Sequence, residues 1–308
     1  MGALRGIVAA FTSGVLLLSA ACSTSATTVP TPTPPPVGSY HSGNAAFDEI
    51  INNAPVAPPE LVAAYPWAAA VRATGALRVG GLTYSPLFWE PGATTGTFTG
   101  FDAGLALLLS RYLLGDAAIE VVPVTPTTAE SMLRAGSVDT VIAQYTITSA
   151  SLEQVMFSGP YYLSGSAVLV GSDTPQSAQY PTPVAVVAGS IPATQLPETT
   201  TALPLPAHAQ CVSALLGGNA AGYLTDESLA IATWAANPTL KIASRIDSPA
   251  DAYGIALPRN SDVKTLIDHW LADLIADGTW AKLWQVTIGQ AGGEAPTPPT
   301  LNSAGNLR

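Results

Sequence analysis

The spacing of hydrophobic positions along this 308-residue chain changes repeatedly, and each change marks an element. Leu77-Arg-Val-Gly-Gly81 is a short β-like run, and Val121-Val-Pro-Val124 and Thr140-Val-Ile-Ala143 are two more. Between the first two, Phe101, Leu105, Leu108, Leu109 and Tyr112 recur at helical spacing, with Asp102 near the start. Thr127-Thr-Ala-Glu130 has the spacing of a capping box for a short helix that Gly136 ends. A long apolar segment after Phe157 runs through Ser166-Ala-Val-Leu-Val170, and the strand-helix rhythm restarts at Val184-Ala-Val-Val-Ala-Gly-Ser190. A helix is expected over Ala209 to Leu216 and a late strand at Tyr253-Gly-Ile-Ala-Leu257. In the last helix pair Val263, Leu266, Ile267, Trp270, Leu271 and Leu274 share a face, and Asp277-Gly-Thr279 stops that helix and caps the next. Alternating strands and helices over roughly 240 residues predict an α/β architecture.

The two ends read differently. Arg5, an apolar stretch from Ile7 to Leu18 and then Ser19-Ala-Ala-Cys22 form an export signal too short for an ordinary membrane span. Small residues before a cysteine resemble a bacterial lipobox, with Ser19 where leucine is usual. On that reading residues 1–21 are removed and Cys22 is lipidated, which anchors the mature chain on the extracytoplasmic side of the membrane. Residues 22–43, with Thr31-Pro-Thr-Pro-Pro-Pro36, are expected to be an extended tether, and 291–308 a disordered tail. The only other cysteine is Cys211, so a disulfide framework is excluded, and a buried inert thiol is the expectation for it.

Composition narrows the function. Acids outnumber bases 21 to 11, which leaves no electrostatic footprint for nucleic acid. His41, His208 and His269 are scattered, so no metal site is expected. The chain has no Gly-x-Ser-x-Gly, Walker loop or Cys-His pair, so neither catalytic residues nor a cofactor are expected.

Motifs in fixed order carry the sharper signal: Gly75-Ala-Leu-Arg-Val-Gly80, Tyr84-Ser-Pro-Leu-Phe88, Gly100-Phe-Asp102, Gly136-Ser-Val-Asp139, Thr146-Ile-Thr148 and Phe157-Ser-Gly-Pro-Tyr-Tyr162. Together they resemble the first lobe of a family 3 extracellular solute-binding protein, a polar amino-acid receptor of ABC importers. The resemblance implies a periplasmic-binding-protein type II fold, with two lobes and a hinge of two crossing strands. It places a lead-in at 44–74, lobe 1 at 75–165 and 255–290, and lobe 2 at 166–254. It also implies a monomer that captures a small polar solute and delivers it to a membrane permease.

The same resemblance nominates a site. Tyr84 falls at the aromatic wall, with Trp89 nearby, although both rings could simply pack the first strand-helix turn. Gln144 and Thr146 fall where the family offers a backbone carbonyl and a hydroxyl, or Thr146 is an ordinary strand-end hydroxyl bonding its own backbone. Gly189, Ser190 and Ile191 fall where lobe 2 offers amide donors at a helix start, or else form a plain strand-to-helix turn. Asp226 matches the aspartate that pairs with an α-ammonium, or else caps a helix. Ser151 stands where the family usually has the arginine that grips a ligand carboxylate, and a hydroxyl cannot replace a guanidinium fork. An acid without a base suits an amine or quaternary ammonium as well as an amino acid. The alternative is a sensor or docking lipoprotein that keeps the two-lobe shape and reports to a membrane signalling partner.

Overall fold

Each parallel strand of the first lobe leads into a loop and then a helix, and those loops gather at one edge of the sheet. The computed structural model describes residues 40–125, 128–175, 180–259, 261–291 and 296–300; the side chains of Ile191 and of residues 247–250 are outside that description. The elements begin with α1 (Ala45–Asn53), α2 (Pro59–Ala63), α3 (Pro66–Thr74), β1 (Leu77–Gly81), β2 (Glu90–Pro91) and β3 (Phe98–Thr99). They continue with α4 (Phe101–Leu114), β4 (Ile119–Pro123), α5 (Ala129–Arg134), β5 (Thr140–Val141), α6 (Ser149–Gln154) and β6 (Met156–Gly171). Next come β7 (Val184–Val187), α7 (Ile191–Thr194), β8 (Ala202–Leu205), α8 (His208–Leu216), β9 (Gly222–Asp226) and α9 (Glu227–Ala236). The last are β10 (Leu240–Leu257), α10 (Lys264–Ala276) and α11 (Thr279–Val286).

An eight-stranded sheet runs β4-β1-β5-β10-β6-β9-β7-β8. Strands β4, β1 and β5 are mutually parallel, as are β9, β7 and β8, and the long antiparallel pair β6–β10 joins the two groups. These are the two crossing strands. Their ladder is broken between Ile246 and Asp251, opposite Ser166 and Ser164. The sequence reading puts the return crossing at 254/255, a few residues later.

The predicted elements survive with instructive changes. Helix α4 buries nearly its whole circumference, not a stripe, because it is covered on one side by the sheet and on the other by α1, α3 and α11. Gly104 admits the Leu283 side chain of α11 there, since a Cβ would meet Leu283 Cδ1 at 2.5 Å. Gly100 precedes α4 at φ 108°, and a Cβ there would lie 2.4 Å from the Phe88 carbonyl oxygen. Only glycine fits that turn. Thr127 lies outside the described residues; α5 starts at Ala129 with Thr128 as a cap residue that makes no side-chain capping bond. Trp89 belongs to the core, fully buried with its Nε1 donating to the Ile142 carbonyl at 2.8 Å. Phe88 is buried as well, so packing is the role of both rings.

At the start of the description, Tyr40 and Ser42 are packed rather than extended. Tyr40 N donates to Asn52 Oδ1 at 2.7 Å, and buried Ser42 donates to Asp48 through both its amide and its hydroxyl. The folded part therefore begins before the expected end of the tether at residue 43. Cys211 is fully buried on α8. Among the described residues no helix is long and apolar enough to cross a membrane. Residues 1–39, with Cys22, lie outside the description.

Candidate functional site

At the carboxyl ends of β1, β4 and β5 a cavity of about 450 Å³ opens between the first lobe and the start of α9. Ligands in open α/β sheets bind at such strand ends because helix starts and loops converge there. Its floor comes from Val124, Val141 and Ala143, and its polar rim from Glu130, Thr146, Thr148, Ser151 and Asp226. Tyr145 and Tyr253 supply aromatic surface. The Tyr145 hydroxyl donates to Glu130 Oε1 at 3.0 Å, so that ring is held by the same acid that faces the cavity.

Asp226 stands apart from the other rim residues. It is the last residue of β9 and the N-cap position of α9, yet its side chain makes no capping hydrogen bond. A capping aspartate ordinarily stabilises a helix by about 1 kcal/mol. Here the carboxyl lines the cavity instead, with Oδ1 buried and without a hydrogen-bond partner. Burial raises its pKa above the usual carboxylate range, and the neighbouring Asp251 carboxyl on β10 raises it further. Asp251 is itself raised, by burial. Two acids side by side in a partly desolvated place favour holding one proton between them.

No positive charge among the described residues of the cavity answers them. Among the described residues that line the cavity there is no lysine, arginine or histidine. Arg78 is spent on Asp139 and the Gly136 carbonyl, and Arg111 on the Ala54 carbonyl. Arg245 pairs with Glu227, the residue next to Asp226. The nearest ion pair is therefore already closed on itself.

Ser151 lines the cavity but is 4% exposed and committed to its own helix. Its amide donates to Thr148 Oγ1 at 3.0 Å and the Thr148 amide donates back to Ser151 Oγ at 2.9 Å, a reciprocal capping box that starts α6. Thr146 also lines the cavity, and its backbone bridges to Tyr253 of β10. Gln144 sits at φ 50°, a backbone conformation that costs a non-glycine residue energy. Buried Asp102 holds that turn: one oxygen accepts from the Gln144 amide at 2.8 Å and the other from the Tyr161 hydroxyl at 2.9 Å. Burial pushes the Asp102 pKa up to about 7 against the pull of those two bonds.

The Gln144 side chain reaches from lobe to lobe. Its Oε1 accepts from Ser85 Oγ at 2.7 Å, and its Nε2 donates to Ser228 Oγ of α9 at 3.4 Å. Ser228 Oγ in turn bonds the Tyr253 hydroxyl at 2.9 Å and Ser164 Oγ of β6 at 3.3 Å. The remaining nominees lie elsewhere. Tyr84 is 62% exposed and lines a neighbouring cavity. Ser190 caps α7 through the Ala193 amide and, like Gly189, lines neither cavity, and Ile191 is the first residue of that helix. The sequence offers Glu130 only as a capping-box acid and Tyr253 only as the start of a late strand, with nothing local to single out Tyr145 or Asp251. Glu130, Tyr145 and Tyr253 line the cavity, and Asp251 of β10 neighbours Asp226.

Two lobes joined by crossing strands, with a polar-rimmed cavity at the strand ends, define the architecture of a solute-binding protein. Residues 77–289 match the model of the bacterial extracellular solute-binding proteins, family 3, and the chain belongs to that family. It is 35% identical over 105 residues to the glutamine-binding protein of Geobacillus stearothermophilus, covering 34% of this chain and 40% of that one. Against the ABC transporter glutamine-binding protein of Bacillus subtilis it is 25% identical over 71% of this chain and 84% of the other. Among solved structures, an ancestral arginine-binding protein bound to glutamine superposes with a TM-score of 0.58 at 28% identity, covering 70% of this chain and 98% of that one.

Proposed function

We propose that this chain is a lipid-anchored, extracytoplasmic receptor that captures a small amine-bearing solute in the cavity at Asp226 and delivers it to an ABC importer. The observation that supports the reading best is Asp226 itself. A half-buried carboxyl that forgoes its helix cap, sits beside a second acid and meets no cation among the described residues is costly to ionise unless a ligand ammonium supplies the missing charge. Tyr145 and Tyr253 add ring faces suited to cation–π contact.

The missing arginine moves the preference from α-amino acids toward amines. A ligand carboxylate would meet Glu130 and Asp226 but no guanidinium, and Ser151 and Thr148 already bond each other. An amine without a carboxylate avoids that repulsion. Transport rather than docking is favoured because the cavity is formed and chemically specific, whereas a degenerate receptor has no need to keep two acids side by side at its rim.

Thermal unfolding of residues 40–300 against amines, polyamines, betaines, amino acids and sugars tests the ligand class. A ligand at 100 times its Kd adds about 2.7 kcal/mol, or roughly 5–10 °C for a domain of this size. Stabilisation by amines and quaternary ammonium compounds, with amino acids weaker, is the expected pattern. Stabilisation by acidic amino acids alone would overturn it. The anchor is tested separately: Cys22→Ser moves the full-length protein from the membrane fraction to the soluble fraction, and an unchanged distribution removes Cys22 as the lipid site.

A further inference from the structure

A second cavity of about 410 Å³ lies on the far side of Gln144, between the turn after β1 and the helices α8 and α9. Leu82, Gln144 and Leu229 line both cavities, so the two share a wall. Of these three, only Gln144 spans the lobes, through Ser85 on one side and Ser228 on the other.

The two chambers differ in chemistry. Glu130 and Asp226 line the first, whereas the second has no carboxylate, lysine or arginine among its described lining residues. Its one imidazole among the described lining residues, His208, bonds the Tyr223 hydroxyl through Nδ1 at 2.8 Å and lies 3.3 Å from Thr233 Oγ1 through Nε2. Burial lowers the His208 pKa, which keeps the ring neutral at physiological pH. Pro86, Val212, Leu229 and Ala236 complete a mainly apolar wall, and the Tyr84 ring stands exposed at its edge.

We propose that this second cavity is a ligand chamber of its own, which takes an apolar or aromatic tail of a ligand whose ammonium occupies the acidic cavity, with Gln144 as the partition between them. The inference rests on the amine-receptor reading above and extends it from a small head group to an amphipathic amine. Size permits it: a dry cavity of about 150 Å³ already accepts benzene, so the second chamber has room for a ring and its linker. Tyr84 then stacks on the tail and the neutral His208 bounds it without imposing a charge.

Calorimetric titration with n-propylamine and 4-phenylbutylamine tests the chamber. Burying the phenyl tail should make 4-phenylbutylamine roughly 10- to 100-fold tighter than n-propylamine. Ala209→Trp on α8 and Ala236→Trp on α9 fill the chamber from exposed positions that the fold tolerates. Each should erase most of that gain while leaving the Kd for n-propylamine and the melting temperature of the free protein unchanged. If n-propylamine binds and the phenyl tail adds nothing, or the tryptophans leave its advantage intact, the second chamber is overturned and the acidic cavity stands. If neither amine binds, both the chamber and the amine-receptor reading fall.

Discussion

Asp226→Asn weakens binding of a small ammonium ligand by roughly 10²- to 10⁴-fold in a calorimetric titration. Removing one partner of a buried charged pair costs about 3–5 kcal/mol, and each factor of ten in Kd is about 1.4 kcal/mol. Asparagine keeps the shape of the side chain and deletes its charge, so lost affinity reports electrostatics rather than a collapsed cavity. The free variant should melt at a higher temperature than the parent at pH 8, because Asp251 no longer faces a second buried carboxylate. That opposite movement of affinity and stability is the trade-off expected at a binding site. Glu227→Gln is the control: Glu227 is adjacent in sequence but paired with Arg245, and its loss should change Kd by less than about threefold. Unchanged affinity in Asp226→Asn would remove Asp226 as the ammonium partner.

Affinity for the same ligand should also climb with pH, by up to about tenfold per unit, across the range below the raised pKa of the Asp226–Asp251 pair. The free pair holds a proton that an arriving ammonium must displace, so binding releases it and tightens as the solution becomes less acidic. The groups around the pair leave that proton to the two acids. Tyr253 and Tyr223 are raised out of the physiological range by burial, Glu227 is paired with Arg245, and Glu130 accepts from Tyr145.

Stability of the free protein moves the other way. A carboxyl whose folded pKa lies above its unfolded value of about 3.9 contributes stability that is fully present below that value. The contribution is lost as pH rises through the folded pKa. Buried Asp102, pushed up to about 7, adds to the same trend without touching the ligand. Thermal unfolding with and without ligand separates the two, since only the ligand-induced shift should grow with pH. A shift independent of pH between 5 and 8 would mean that the pair binds its ligand without exchanging a proton.

Much of the fold was legible because short-range patterns specify it. The run Leu77–Gly81 became β1 with the expected bounds, and the glycine at 278 joins the final helix pair in a left-handed turn at φ 79°, with Asp277 accepting from the Thr279 amide. The full burial of α4 was less legible. Its sequence shows a helical period, but the neighbours that cover its second face come from residues 45–74 and 279–286, far along the chain. The Pro/Thr-rich stretch from 192 to 206 gave no landmark, yet it contains α7 and the edge strand β8, where Pro204 needs no partner for a missing N–H on the open side.

The sequence by itself determined the α/β order of elements, the family, the loss of arginine at position 151 and the nomination of Asp226. The order follows from local periodicity, and the other three from motifs that resemble those of a known family. The tertiary structure alone decided that Asp226 leaves its helix uncapped, that Asp251 lies beside it, and that Ser151 serves a capping box. It also placed Tyr145 and Tyr253 in the cavity and Gln144 between two chambers of opposite character. The physical reason for the acids and the rings is that a carboxyl's charge state and an aromatic ring's role depend on what surrounds them. In this protein those surroundings come from strands that pair across about ninety residues of chain, β6 with β10.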